Sequence, residues 1–304
     1  MRIFFHIGPH KTGTTSLQDF LLKTIGSVEP KSIWYPLPER IGPGHADLAE
    51  KMLPHKRKPS DNAIKDIVQK AEINGVEKLI LSSENFSTIT ESIADYQVAM
   101  QDHEITLVST QNSLVLRAAS RWQEWIKGRF TQSFEQSHQR ILESPGYQID
   151  LLHRFADGLK VKDIAVIYCS PTDASSRLIE RAASLFEVSC QDYLIDIKDT
   201  KLNTRLGLME AELLRRLNEL LAENFPKTTA AEYAKVRGAL LAAFRSPNWR
   251  DVKPYVEIKN TNALTEAILM RAHEIEKSIE TLRWPLREYG DRTALFAVGK
   301  EPIE

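Results

Sequence analysis

The segment HIGPHKTGTTSLQ, residues 6–18, decides the fold prediction for this chain. It overlaps the end of a short apolar run, RIFFHI at residues 2–7, whose aromatic and β-branched side chains are typical of a buried strand. After the second glycine, TTSLQDFLLKTI carries apolar side chains at helical spacing. The segment therefore predicts a strand, a glycine-rich loop and a helix. In that arrangement loop amides and a helix N-terminus hold a phosphate or a similar oxyanion.

The loop differs from the P-loop of ATP-binding proteins in the position of its lysine. That motif is G-x-x-x-x-G-K-[ST], with the lysine directly after the second glycine. Gly8 and Gly13 have the required separation, and Thr15 stands at the Ser/Thr position. Thr14, however, occupies the lysine position, and the loop's lysine is Lys11. A lysine inside the loop reaches a different oxygen of the bound group than a lysine that follows the loop.

The composition limits the classes of function. The chain has 304 residues, a formal net charge of −1, 42% hydrophobic and 27% charged residues, as in ordinary globular proteins. It lacks the basic excess that is typical of nucleic-acid-binding proteins. No apolar run approaches the roughly 18 to 20 residues that span a bilayer, and no signal peptide is evident. Two cysteines, Cys169 and Cys190, are too few for a disulfide framework. We expect a cytoplasmic protein with neither a membrane span nor a nucleic-acid partner.

Strand and helix patterns alternate along the first 172 residues. Four further strand candidates are SIWYP (32–36), KLILSS (78–83), EITLVST (104–110) and DIAVIYCS (163–170). Helical patterns lie near residues 45–53, 60–74, 91–102, 114–142 and 147–158, and from about residue 175 the chain is almost wholly helical. The alternation predicts a mostly parallel sheet covered on both faces. We therefore expect one P-loop NTPase-like, three-layer α/β domain over residues 1–304, with a nucleotide-binding core in 1–172 and a mainly helical cap in 173–304.

The loop closely resembles the 5′-phosphosulfate loop of sulfotransferases that use 3′-phosphoadenosine 5′-phosphosulfate (PAPS). It is most similar to bacterial sulfotransferase-like proteins with an H-K-T-G-T-T core, strongly over residues 1–25 and moderately to about residue 130. The resemblance implies that the loop binds the 5′-phosphate and that Lys11 neutralises the bridging oxygen as the sulfuryl group leaves. No metal is required by this scheme. The loop residues that we expect to contact PAPS are His10, Lys11, Thr12, Gly13, Thr14 and Thr15.

The same family has a second anchor, which binds the 3′-phosphate of PAPS. It consists of an arginine at a strand end and a serine eight residues later on the next helix. Ser120 fits the serine, but Asn112 stands at the position of the arginine. An asparagine amide donates hydrogen bonds to phosphate but lacks the charge and the bidentate fork of arginine. Arg117 and Arg121, on either side of Ser120, are candidates to supply that charge.

Transfer of a sulfuryl group to a hydroxyl or an amine requires a base that takes the proton of the acceptor. Glu84 follows the strand KLILSS, at the carboxyl end where α/β proteins generally bind ligands. The segment LSSENFS also resembles an SSE segment common in the H-K-T-G-T-T relatives. His45, in GPGHADLAE, stands at a place comparable to a histidine of those relatives. Both remain candidate bases, whereas His6, within the strand, is expected to belong to the core.

The sequence thus predicts a PAPS-dependent sulfotransferase whose acceptor is the hydroxyl or amine of a carbohydrate or small metabolite. One alternative is a Mg²⁺-dependent nucleotide phosphotransferase, which needs an acidic residue at a strand end to orient the metal. A second alternative is a non-catalytic nucleotide-binding protein of the same fold, which the asparagine at position 112 favours. Neither the identity of the acceptor nor the oligomeric state is encoded in a recognisable motif.

Overall fold

The structure, a computed structural model, describes residues 1–37, 42–51, 63–88, 93–143, 147, 150–170, 175–197, 208–243 and 262–296. Within these ranges seven strands form one sheet in the order β2-β3-β4-β1-β5-β6-β7, and every neighbouring pair is parallel. The strands are β1 (Arg2–His6), β2 (Gly26–Ser27), β3 (Ile33–Pro36), β4 (Lys78–Ser82), β5 (Glu104–Asn112), β6 (Asp163–Cys169) and β7 (Leu286–Tyr289).

Helices connect the strands and cover the sheet. They are α1 (Thr14–Ile25), α2 (Ala46–Lys51), α3 (Ala63–Ile73), α4 (Ile93–Met100), α5 (Leu114–Lys127), α6 (Phe134–Leu142), α7 (Leu151–Leu159), α8 (Ser175–Phe186), α9 (Gln191–Ile197), α10 (Leu208–Asn224), α11 (Ala230–Ala243) and α12 (Asn262–Glu280). Two 3₁₀ turns cover Glu84–Thr88 and Arg292–Phe296. None of the helices in the described ranges is both long and apolar enough to cross a membrane.

Apolar side chains leave the sheet on both faces, which produces three layers. Phe4 of β1 packs with α1 and α8, and its ring meets that of Phe186 edge-on at 5.3 Å between centroids. Phe5, the next residue, points to the other face and stacks on Phe86 at 4.6 Å. Successive residues of a strand point to opposite faces, so burial on both sides explains why the strands are nearly continuous apolar runs. The predicted three-layer α/β architecture is confirmed.

The central strand β1 positions the site. It pairs with β4 on one side and with β5 on the other, so that His6 lies opposite Ser82 and Val108. The segments that follow these three parallel strands therefore meet at one edge of the sheet. Such an edge is the usual ligand-binding place in doubly wound α/β folds.

One detail of the secondary-structure prediction is wrong: the helical stretch over residues 114–142 is two helices. Helix α5 ends at Lys127, with Gly128 as its C-cap, and Arg129 adopts a left-handed backbone conformation with φ +76°. The described residues after 175 are mainly helical, but they also include the strand β7, which pairs in parallel with β6 and was not predicted. The strand was missed because its sequence, LREY, is short and only partly buried, so it has no apolar signal.

Two of the C-terminal helices, α10 and α12, pack on the face of the sheet that carries α5, whereas α8 packs beside α1 on the other face. Both α10 and α12 contact α5, and α12 also contacts α6. Since β7 also comes from this region, residues after 172 supply a strand of the sheet as well as covering helices. The single-domain prediction for residues 1–304, with its internal boundary at 172, stays a prediction.

Candidate functional site

A buried chain of hydrogen bonds fixes the base of the loop after β1. Thr12 Oγ1 donates to the carbonyl of Pro9 at 2.7 Å, and it lies 2.5 Å from Thr110 Oγ1. A carbonyl only accepts, so Thr110 is the donor to Thr12, and it in turn accepts from His6 Nε2 at 3.4 Å. The other nitrogen of His6, Nδ1, accepts from Ser82 Oγ at 2.7 Å. Burial lowers the pKa of His6 to about 4, so the imidazole in this chain of hydrogen bonds is neutral at neutral pH.

The expected core position of His6 is therefore confirmed. The same network explains one loop residue that the sequence assigned to ligand binding. Thr12 is buried, and its hydroxyl is committed to the loop itself. Its role in this structure is to hold the loop against β5 rather than to face solvent.

Gly8 lets the loop pass close to the residue that follows β4. Its φ is +88°, and a Cβ at this position would lie 2.9 Å from both Cα and Cβ of Glu84. Its carbonyl accepts from the Thr110 N–H at 3.0 Å and from Ser109 Oγ at 3.1 Å. A glycine is thus needed here for both conformation and space.

The loop delivers the N-terminus of α1 to the edge of the sheet. Gly13, with φ +86°, is the N-cap residue, and no side chain accepts a hydrogen bond from the helix amides there. Thr14 is the first helical residue and is buried, whereas Thr15 is exposed. The first amides of a helix have no intrahelical acceptor, so this terminus can hold an anion. Neither threonine forms a side-chain cap of this helix.

Hydrogen bonds hold both the backbone carbonyl and the side-chain ammonium of Lys11. Its backbone is left-handed, with φ +68°, and its carbonyl accepts from Asn112 Nδ2 at 2.9 Å. Its Nζ donates to Glu124 Oε1 of α5 at 2.7 Å, and Arg121 Nη1 lies 3.4 Å from Glu124 Oε2. Partial burial opposes ionisation of Glu124, but Lys11 and Arg121 outweigh it and hold the pKa of this carboxyl below its usual range. Lys11 and Glu124 therefore form a charged pair at neutral pH.

Glu84 begins the 3₁₀ turn after β4 and lies at the edge of the loop. Gln18 of α1 is buried, and its Nε2 donates to Glu84 Oε2 at 2.9 Å. His10 Nδ1 lies 3.8 Å from Glu84 Oε1, and this oxygen has no hydrogen bond to the described residues. A quarter of the Glu84 side chain is exposed. Burial lowers the pKa of His10, although the charge of Glu84 opposes this shift. A carboxylate with one oxygen fixed and one open is suited to accept a proton from a bound hydroxyl.

His45, the other candidate base, is engaged on both ring nitrogens. The Ser82 N–H donates to His45 Nδ1 at 3.0 Å, so Nε2 carries the proton and donates to the Pro36 carbonyl at 2.8 Å. The residue is buried, and burial lowers its pKa. Its lone pair is thus used inside the fold, and Glu84 is the candidate whose carboxylate reaches solvent.

The predicted 3′-phosphate anchor is arranged differently from the expectation. The amide orientation of Asn112 is fixed, because its Nδ2 faces the Lys11 carbonyl. Its Oδ1 is shut off from solvent and has no hydrogen-bond partner among the described residues. In this structure Asn112 therefore supports the loop. Ser120 lies half-buried on α5, eight residues further along.

The two arginines near Ser120 have different environments. Arg117 is buried, donates to Gln111 Oε1 at 3.2 Å and lies 4.1 Å from the centroid of the Tyr147 ring. Arg121 lies on the more exposed side of α5, beside Glu124. The structure thus brings Arg121, and not Arg117, to the side of the loop lysine.

Sequence reasoning missed Gln18 and Glu124, which orient the two central site residues, Glu84 and Lys11. Gln18 follows Thr14 by one helical turn, and Glu124 follows Arg121 at the spacing of a helical ion pair, so weak local signals existed. Neither signal says which partner lies across the fold. In the described ranges no group of three or more His, Cys, Asp or Glu side chains is arranged to hold a metal ion.

Comparisons with known proteins give one structural likeness. The chain is similar to a solved sulfotransferase from Alicyclobacillus acidocaldarius, with 20% identity and a TM-score of 0.41, over 80% of this chain and 98% of that one. No protein-family model matches the chain, and no curated protein matches it.

Proposed function

We propose that this chain is a sulfotransferase that moves the sulfuryl group of PAPS to a hydroxyl or amine. The observation that carries the proposal is the position of Lys11. It lies inside a glycine loop that ends at an uncapped helix N-terminus, and the loop packs against the candidate base Glu84. A phosphosulfate needs both positive charge and amide donors, and this loop presents them together.

The residues present fit the phosphosulfate end of such a donor. The amides at the start of α1 and the hydroxyl of Thr15 are available to hold the 5′-phosphate. Lys11 supplies a cation that can neutralise negative charge on the phosphate–sulfate bridging oxygen, because charge develops there as the bond from sulfur to that oxygen breaks. The donor leaves as 3′-phosphoadenosine 5′-phosphate (PAP).

Glu84 is the proposed base of the reaction. Its Oε2 is held by Gln18, and its Oε1 takes the proton as the acceptor oxygen or nitrogen forms its bond to sulfur. His10, beside that oxygen, has its pKa lowered by burial and so supplies no lasting positive charge at neutral pH. His45 then contributes by holding the ends of β3 and β4 in place.

The proposal also covers the class of acceptor, the location in the cell and the contact with the 3′-phosphate. A base that abstracts a hydroxyl or amine proton suits a carbohydrate or a small metabolite. Cytoplasmic location follows from the sequence expectation alone. The 3′-phosphate contact is assigned to Ser120 and Arg121, because Asn112 Nδ2 is turned to the Lys11 carbonyl.

Ligand titration of purified protein tests the proposal. PAP, and ATP with Mg²⁺, are titrated into the wild type, Lys11→Ala and the control Lys162→Ala by calorimetry. Lys162 pairs with Glu104 at the amino end of β5, the opposite edge of the sheet. We expect PAP to bind the wild type and the control equally and Lys11→Ala at least tenfold more weakly.

Two results would contradict the proposal. Binding of ATP–Mg²⁺ in preference to PAP would support the phosphotransferase alternative. PAP binding without sulfuryl transfer from PAPS to any acceptor in a panel of sugars and amines would support a non-catalytic nucleotide-binding protein. Where an acceptor is found, Glu84→Gln should lower kcat about 100-fold or more, whereas His45→Asn should act mainly on stability.

A further inference from the structure

Glu124 places a carboxylate on the lysine of a loop that is proposed to bind an anion. Its Oε1 accepts from Lys11 Nζ at 2.7 Å, and Arg121 lies beside its other oxygen. A ligand anion and Glu124 therefore compete for the same ammonium group. None of the sequence motifs accounts for an acidic residue at this position.

The exposure of the Lys11–Glu124 ion pair allows the ammonium group of Lys11 to exchange one anionic partner for another. The side chain of Lys11 is 32% exposed and that of Glu124 is 46% exposed. Ion pairs with this exposure contribute little to stability, because water and salt screen them. By contrast, the backbone of Lys11 is fixed by Asn112, so the ammonium can change partners while the loop stays in place.

Glu124 also separates cations that would otherwise repel one another. Partial burial and the charge of Lys11 both lower the pKa of Lys127, whereas Glu124 opposes this shift. Arg121 adds a third positive charge next to the same carboxylate. Glu124 thus occupies the place of a bound anion between Lys11 and Arg121.

We propose that Glu124 is a positioning residue that holds Lys11 until the phosphosulfate of the donor replaces its carboxylate. The inference rests on the proposed function for the identity of the anion, but not for the exchange itself. When PAP leaves, the Glu124 carboxylate pairs with Lys11 again, and this competition lowers the affinity for PAP. Glu124 therefore sets how tightly the product is held.

A double-mutant cycle tests the exchange. PAP and inorganic pyrophosphate are titrated into the wild type, Glu124→Gln, Lys11→Ala and the double variant at low and high salt. We expect Glu124→Gln to tighten binding of both anions about threefold, the size of an exposed ion pair, and the gain to shrink at high salt. In the Lys11→Ala background the same change should give no gain.

Controls separate this role from effects of net charge or folding. Glu104→Gln removes an equal charge from a comparable lysine pair, Lys162–Glu104, at the opposite edge of the sheet, and should leave both affinities unchanged. Thermal melting checks that each variant folds. If Glu124→Gln does not fold, Glu124→Asp replaces it, since the shorter side chain withdraws the carboxylate from Lys11 and should also tighten binding.

The outcomes distinguish this inference from the proposed function. Unchanged or weaker binding by the Glu124 variants overturns the inference, and so does a gain that persists without Lys11. Failure of PAP to bind while pyrophosphate binds and shows the expected cycle overturns the PAPS assignment and leaves the exchange supported. Failure of both anions to bind the wild type and Glu124→Gln overturns both.

Discussion

The two ends of the candidate site are held by different forces. Beneath the loop, His6, Thr110 and Thr12 form a buried chain of hydrogen bonds in which each donor has an acceptor. On the side of α5, the loop meets Glu124 and Arg121, whose charges are partly exposed. Buried hydrogen bonds are costly to break, whereas exposed ion pairs exchange at little cost. The molecule thus combines a rigid loop backbone with a loop lysine whose partner can change.

The largest expected effect tests how rigid the loop must be. Gly8→Ala should destabilise the protein by about 3 kcal/mol, because a left-handed alanine is strained and its Cβ meets the backbone of Glu84. Gly75→Ala is a matched control with φ +66° and open space around its Cβ, and should cost about 1 kcal/mol. Urea denaturation measures both. If both substitutions lower the free energy of unfolding equally, the contact between the new Cβ and Glu84 adds no destabilisation.

A pH titration tests the hydrogen-bonded end by itself. His6 has a pKa of about 4 when folded and an ordinary value of 6.5 when unfolded. Between pH 6.5 and pH 4 His6 is protonated in the unfolded chain but neutral in the folded one, so the free energy of unfolding falls as the pH falls. For His6 alone the loss from pH 7 to pH 5 is about 2 kcal/mol.

The measurement is urea unfolding at the two pH values. His6→Asn should reduce the loss on acidification by that amount, and a remaining loss is expected because burial also lowers the pKa of His45. His273→Asn, at an exposed position on α12, is the control. An unchanged pH dependence in His6→Asn would show that the network tolerates a charged imidazole.

The smallest expected effect compares two arginines on α5. Arg117→Lys should destabilise the protein by about 1.5 kcal/mol, because lysine does not reproduce the contacts of the buried guanidinium with Gln111 and Tyr147. Arg121→Lys should cost less than about 0.5 kcal/mol, because its ion pair is exposed. Chemical denaturation gives both values, and calorimetry should show weaker PAP binding only for Arg121→Lys. Weaker PAP binding for Arg117→Lys, and not for Arg121→Lys, would instead place the 3′-phosphate contact at Arg117.

The sheet was predictable because its central strands are buried on both faces and therefore read as apolar runs. β7 gave no such signal, since LREY at the sheet edge is only partly buried. The loop was equally readable from Gly8, Gly13 and Lys11, because its geometry depends on neighbours in sequence. Its strand–loop–helix arrangement is confirmed, whereas its ligand stays a prediction.

The contacts that orient the site could not be derived from the sequence. Lys11 and Glu124 are 113 residues apart, and Asn112 reaches the Lys11 carbonyl across 101 residues. Such pairs depend on strand register and on the rotation of α5, which no local pattern fixes. The same applies to His45, whose ring nitrogens are both engaged only because β3 and β4 lie side by side.

The edge strand β7 has a consequence for biosynthesis. The strands around the loop come from the first 112 residues, whereas Leu286–Tyr289 emerges from the ribosome far later. Until then the outer edge of β6 offers unpaired backbone groups to other chains. A stalled or truncated product that ends before β7 would thus carry the whole loop and yet leave the edge of β6 open to aggregation, so that edge is covered only when the chain is nearly complete.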